Sequence, residues 1–181
     1  MSISIKMELV VAMTTKGIIG KASGLPWHIP EDLKRFRKLT EGSVVVMGRK
    51  TYNSLPAGPL KNRMNLALSR EPGVESQYDN LIFVTMDNIF NVLDEYKREN
   101  KKIFIIGGSE IYKLFWEHCA TIHITHILDD AIEGDTFFPY DMHCMLANCA
   151  VDYESEVQQF GNTKYKFMTL KKVCKYSIRM V

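Results

Sequence analysis

At 181 residues, with 46% apolar and 24% charged residues, the chain has the make-up of one soluble globular domain that can bury a core without staples. A net charge of +2 excludes nucleic acid as the expected partner. Cys119, Cys144, Cys149 and Cys174 have no paired spacing and read as reduced thiols of a cytoplasmic protein. The opening apolar run, with Lys6 and Glu8 inside it, is neither a signal peptide nor a membrane span.

Residues 9–13 are an unbroken apolar run, the pattern of a strand covered on both faces. The most informative segment follows: Leu25-Pro26-Trp27-His28-Ile29-Pro30-Glu31-Asp32-Leu33-Lys34-Arg35-Phe36. Pro26 and Pro30 bracket a rigid turn, and Pro30 suits the first position of a helix. Asp32 falls in that helix's opening turn, where unpaired N–H groups and the macrodipole favour a carboxylate. Leu33 and Phe36 set this acid on an apolar face. On the residues alone, Asp32 is either an acidic cap of a surface helix or an acid placed in an apolar pocket. Lys34, Arg35, Arg37 and Lys38 read as the helix's solvated face.

The run 43–47 feeds Gly48-Arg49-Lys50-Thr51 and a helix containing Tyr52 and Ser54. N–H groups at a helix start, with two cations, make either an anion site or a plain basic loop. Pro59-Leu60-Lys61-Asn62-Arg63 precedes the run 65–69, whose end, Leu68-Ser69-Arg70, again joins a strand to a hydroxyl and a guanidinium. Ligands of open α/β sheets bind at the carboxyl ends of strands. Arg49, Lys50 and Arg70 gather there, and three cations suit a phosphate monoester dianion.

Runs 81–85 and 102–106 add strands. Between them Asp87 or Asn88 caps a helix carrying Ile89, Phe90, Leu93 and Tyr96 on one face and ending near Asn100. Ile106-Gly107-Gly108-Ser109-Glu110-Ile111-Tyr112 is a third strand–turn–helix junction, and its paired glycines permit close ligand approach. Residues 122–127 read as a strand, and 148–156 with 165–173 as an antiparallel pair around Gly161-Asn162. The sum is an α/β fold: a mixed, mostly parallel central sheet with an antiparallel C-terminal strand and flanking helices. It forms one domain over residues 1–181, in which 174–181 is an extension of unassigned role.

Gly20-Lys21 is not a phosphate loop, since Thr15 and Ala22 stand where it needs a glycine and a hydroxyl residue. No G-x-G-x-x-G occurs. His118, His123 and His126 lack metal-ligand spacing, and His123 and His126 face opposite sides of one strand. They read as structural or surface residues, and no metal is expected.

The Leu25-Pro26-Trp27 turn with Asp32, the Arg49, Arg63 and Arg70 segments, the Gly107-Gly108 turn and Glu133-Gly134-Asp135-Thr136-Phe137-Phe138-Pro139 occur in an order that resembles the dihydrofolate reductase family. The resemblance spans roughly residues 7–173. It implies a monofunctional, monomeric enzyme that reduces 7,8-dihydrofolate to 5,6,7,8-tetrahydrofolate with NADPH. The product serves one-carbon and thymidylate metabolism, and antifolates are the implied inhibitors. Asp32 would accept two hydrogen bonds from the pterin, with Thr125 bonding Asp32 and with Leu25, Trp27 and Tyr112 completing the catalytic set. Val10, Val11, Ala12, Leu33, Phe36, Ser54, Leu55, Leu60 and Ile106 would line the substrate's place, and Arg63 would take its glutamate carboxylate.

The same resemblance places NADPH along Ala12, Ile19, Gly20, Gly24, Gly48, Arg49, Lys50, Thr51, Leu68, Ser69, Arg70, Gly107, Gly108, Ser109, Glu110, Ile111, Tyr112 and Thr136. Its 2′-phosphate would lie on Arg49, Lys50 and Arg70, and the glycine pair would carry a cis peptide. Ser109 stands where the family often has glycine or alanine. Residues 18–27 would form a mobile lid braced by Asp135. A pyrimidine reductase of riboflavin synthesis, with the same fold and cofactor, and a non-catalytic module binding NADPH or RNA are the other readings. Asp32 and the intact lid favour the reductase.

Overall fold

The computed structural model describes residues 7–22, 24–129 and 131–173; the extension at 174–181, with Cys174, lies outside them. The chain runs β1 (Met7–Thr14), β2 (Ile18–Gly20), α1 (Pro30–Thr40), β3 (Val44–Gly48), α2 (Arg49–Asn53), β4 (Met64–Leu68) and β5 (Leu81–Val84). It continues through α3 (Ile89–Arg98), β6 (Ile103–Gly107), α4 (Ser109–Phe115), a single 3₁₀ turn (Trp116–His118) and β7 (Cys119–Ile127). β8 (Thr136–Phe137), α5 (Met142–Asn148), β9 (Cys149–Glu154), β10 (Gln158–Phe160) and β11 (Thr163–Lys172) complete it.

One nine-stranded sheet takes the order β10-β11-β7-β1-β6-β3-β4-β5, with β9 also paired to β11. The strands from β5 to β7 are parallel, and β11 returns antiparallel to β7. The unbroken apolar runs are explained by burial on both faces. Val45, Met47, Ala67 and Phe104 pack with Phe36, Leu39 and Tyr52 of α1 and α2, while Val44, Val46, Leu66 and Ile105 pack with Leu93, Ile111 and Phe115 of α3 and α4. No helix among the described residues is long and apolar enough to cross a membrane.

The antiparallel pair expected of 148–156 with 165–173 is present as β9 on β11, and the short β10 lies on the same edge of β11 between β9 and the Gly161-Asn162 turn. Other local readings need correction. Asn88 precedes α3 without capping it by a side-chain bond, because its Oδ1 accepts from the Thr85 N–H at 2.9 Å instead. Ser54 lies just past α2 and donates to Thr51 O at 2.7 Å. Arg35 does not belong to the solvated face of α1. Its Nη2 donates to Met168 O at 3.1 Å, and its guanidinium covers the Phe167 ring at 4.8 Å.

Candidate active site

α1 begins as the prolines require. Ile29 is extended, Pro30 opens the helix, and the Asp32 N–H reaches Ile29 O at 3.1 Å. Asp32 therefore enters on the first turn and meets β7, where Thr125 Oγ1 donates to Asp32 Oδ1 at 2.5 Å. Loss of solvent pushes the Asp32 carboxyl above the ordinary range, against the opposing pull of the Thr125 bond and the Arg35 charge. Around it stand Val10, Ala12, Leu33, Phe36, Leu55 and Ile106. Tyr112, from α4, donates its hydroxyl to Val10 O at 2.8 Å, and burial pushes that phenol far up. Trp27 Nε1 is buried with no hydrogen-bond partner among the described residues. A buried donor facing a cleft in this state calls for a water or a ligand atom.

At the mouth, the segment carrying Leu60 and Arg63 is clamped by Asn65, which is fully buried. Asn65 accepts from the Leu60 N–H at 2.9 Å and donates to Leu60 O and Arg63 O, each at 3.0 Å. Arg63 donates to Lys61 O at 2.9 Å and to Thr40 Oγ1 at 3.0 Å, fixing the fork over Phe36. Partial desolvation and the nearby Arg37 lower the pKa of Arg63.

At the other end, β3, β4 and β6 deliver Gly48, Leu68 and Gly107 to one side of the cleft. Arg49 lies over the Phe83 ring at 4.1 Å, Lys50 is exposed, and Arg70 is 3.7 Å from Glu110 across the opening. Gly107 has φ +115°, and a Cβ there would stand 3.1 Å from the Tyr112 ring. The Gly107–Gly108 peptide is cis.

The segment expected as a lid is tied to residues 135–137. β2 pairs with β8, the Ala22 N–H donates to Asp135 Oδ2 at 2.9 Å, and Thr136 Oγ1 donates to Asp135 Oδ1 at 2.8 Å. The Ala22 bond holds the Asp135 carboxyl below the usual range. At Gly134 a Cβ would come within 2.3 Å of Ile18 Cγ2 and 2.6 Å of Gly20 O, so only glycine lets the brace approach.

These ends belong to one cleft of about 1600 Å³. The residues expected at the site from the sequence line it, Thr125 excepted, which stands behind Asp32. The cleft also takes in His28, Arg37, Glu71, Met86 and Leu114. For Arg37 the signal was present in the sequence, five positions past Asp32 and one turn beyond Leu33. Met86 and Leu114 carry no such signal, since only the fold brings them to the rim.

The dihydrofolate reductase family model matches residues 6–172. The dihydrofolate reductase of Haemophilus influenzae is 37% identical over 132 residues, covering 73% of this chain and 78% of that protein. The bifunctional dihydrofolate reductase-thymidylate synthase of Paramecium tetraurelia is 37% identical over 66% of this chain, which spans only 25% of that longer protein. Among solved structures, the dihydrofolate reductase of Enterococcus faecalis, complexed with NADP(H) and RAB-propyl, superposes with a TM-score of 0.77 at 25% identity over 93% of this chain and 97% of that one. Matched along nearly all its length in sequence and in shape, the chain belongs to the dihydrofolate reductase family.

Proposed function

We propose that the chain performs the reduction of 7,8-dihydrofolate to 5,6,7,8-tetrahydrofolate with NADPH, using Asp32 as the acid that holds the pterin. The observation that carries this reading is the Asp32 carboxyl itself, withdrawn from solvent among apolar walls and anchored at 2.5 Å by Thr125. An ionised carboxylate has about four acceptor positions. Thr125 takes one and fixes the carboxylate plane, which leaves both oxygens able to accept from the 2-amino group and N3–H of a pterin. The apolar walls lower the local dielectric, so that charge acts strongly on the ring. The buried Trp27 N–H is a donor suited to hold the water that carries a proton to N5. Arg63, fixed by Lys61 and Thr40, presents a fork for the glutamate carboxylate.

The other end fits NADPH by its donor set and by its space. Arg49, Lys50 and Arg70 ring the opening and suit a 2′-phosphate dianion, with Ser69 and Thr51 as hydroxyl donors. The glycines at 48, 107 and 108 leave room where a Cβ would meet Ile111, Tyr112 and Thr51 within 3.3 Å. Bound there, NADPH supplies the hydride for C6. The segment expected as a lid, braced by Asp135 and lining the cleft through Ile19, Gly20 and Gly24, would cover both ligands. The nine-stranded sheet carries most of the site, with the short β2–β8 pair beside it, which supports reading the chain as a single domain, and the free thiols of Cys119, Cys144 and Cys149 support a cytoplasmic setting.

The purified protein is expected to oxidise NADPH, followed by absorbance, only when dihydrofolate is added, and to stop when an antifolate is added. Lys50→Ser with Arg70→Ser removes two charge-assisted contacts, each worth about 1.5–3 kcal/mol. NADPH binding should weaken roughly a hundredfold or more while NADH binding stays near wild type. Equal losses for the two cofactors would overturn the phosphate assignment.

A further inference from the structure

α1 carries two arginines that the sequence does not distinguish. Arg37 is exposed and pairs with Glu41 at 3.5 Å. Arg35 is half-buried and runs toward the sheet. Its Nη2 donates to Met168 O at 3.1 Å, its Nη1 lies 3.4 Å from Ile124 O, and its guanidinium covers Phe167 at 4.8 Å. Ile124 and Met168 are cross-strand partners, and so are Thr125 and Phe167. The ring beneath Arg35 is therefore the neighbour of the residue whose hydroxyl holds Asp32. Arg35 also follows Asp32 by three positions, so the two leave one helix face with Cβ atoms about 5–6 Å apart.

A partly desolvated guanidinium needs partners for its N–H groups. Here two strand carbonyls supply them, each using a second lone pair, and the aromatic face adds attraction for the cation. None of these partners is anionic. The positive charge is thus not cancelled where it sits, and its field falls on Asp32.

We propose that Arg35 is a positioning residue for the pterin-binding acid: it ties α1 to β7 and β11 and sets a fixed positive charge one helical turn from Asp32, which attracts the carboxylate and holds it in place. The proposal rests on the reading of Asp32 given above. The other groups facing Asp32 are Thr125 from β7, Tyr112 from α4, Tyr165 from β11 and Glu31 beside it on α1. Thr125 does not titrate, and burial pushes both phenols up, so they stay neutral. Glu31 is 3.7 Å from Lys34. His28, on the turn before α1, packs its ring 6.3 Å from that of Phe160. Arg37 and Arg63 stand at the mouth beside Glu41. Tyr153, from β9, faces Arg35 itself.

The test reads the Asp32 carboxyl carbon by NMR across a pH titration of the protein with NADPH bound. Arg35→Met should raise the Asp32 midpoint by about one pH unit, and Arg35→Lys should bring it back close to wild type. Arg35→Gln keeps a donor for the strand carbonyls but loses the charge, so it should shift as far as the Met variant; it also serves if the Met variant does not fold. Lys34→Met, which removes a cation whose side chain is 77% exposed on the same helix, should leave the midpoint unmoved. The pH profile of dihydrofolate-dependent NADPH oxidation should shift with the midpoint. An unmoved midpoint in the Gln variant, and in the Met variant if it folds, overturns the proposal. A moved midpoint with an unmoved pH profile upholds the action of Arg35 on Asp32 and overturns the reading of Asp32 as the substrate acid.

Discussion

Two carboxylates meet the same face of β7, two residues apart, and end in opposite states. Glu8 reaches His123, with Oε2 2.6 Å from Nε2, while its other oxygen lies 3.7 Å from Lys102. The His123 bond, aided by the charges, holds the Glu8 carboxyl below its usual range. Asp32 reaches Thr125, a neutral hydroxyl, and loss of solvent pushes its carboxyl up. The strand presents His123 and Thr125 with the same geometry, since alternate residues share a face. What differs is how fully each acid is satisfied within the fold. Glu8 has a close partner on one oxygen and a cation near the other, and serves stability. Asp32 keeps acceptor capacity and an unfavourable charge, which a ligand with two N–H groups can relieve.

The sharpest way to break this contrast is Asp32→Asn. Asparagine keeps the shape but turns one acceptor into a donor, so it cannot accept both pterin bonds. The hydride-transfer rate at pH 7 should fall by at least ~10²-fold and recover in part at acidic pH, with NADPH affinity near wild type. Stability should move the other way. A carboxyl raised in the folded state favours folding below its unfolded pKa, and that contribution is lost as pH rises through the folded value. Urea unfolding at pH 7 should therefore find the Asn variant at least as stable as wild type. A clear loss of stability there would place Asp32 with Glu8 as a structural acid.

Glu8→Gln is the mirror experiment, with a smaller effect. Its carboxyl is depressed in the fold, so its contribution is present above the unfolded glutamate pKa and lost as pH falls through the folded value. The variant should lose about 1–2 kcal/mol at neutral pH, measured by urea midpoints, and should converge with wild type in acid. Catalysis should be unaffected. A variant that keeps its stability but loses activity would show that the polar row beneath α1 serves the reaction instead.

Much of this arrangement was legible in the sequence because it follows from local rules. The apolar runs announce strands covered on both faces, and Pro30 with Asp32 announces an acid in a first helical turn. Arg35 was misread because helical spacing says which residues share a face but not which face meets the sheet. Four basic residues in five positions look alike until α1 is docked on β7 and β11. Asn65 escaped notice for a related reason: it stands at the head of an apolar run, and its clamp on Leu60 and Arg63 exists only once the loop folds back. Glu8 and His123 are 115 residues apart, and no spacing rule joins them. Parallel pairing of β1 with β7 does.

The smallest expected effect belongs to Glu31→Gln, and it decides whether α1 is oriented as described. Glu31 precedes Asp32 on the same turn, yet its side chain is 43% exposed and its ion partner is Lys34 at 3.7 Å, one turn along the helix. Such an exposed pair contributes about 0.2–0.5 kcal/mol and is screened by salt. One of its oxygens, Oε2, is buried without a partner among the described residues, and the amide of glutamine can turn either its oxygen or its nitrogen toward that place. The gain or loss there and the lost ion pair are both small, so stability should stay within about 0.5 kcal/mol of wild type, and the hydride-transfer rate within about twofold. The measurement is the same pair of assays used for Asp32→Asn, run side by side. A crippled Glu31→Gln beside a mild Asp32→Asn would mean that α1 is rotated by one residue and that the neighbouring carboxylate faces the pterin.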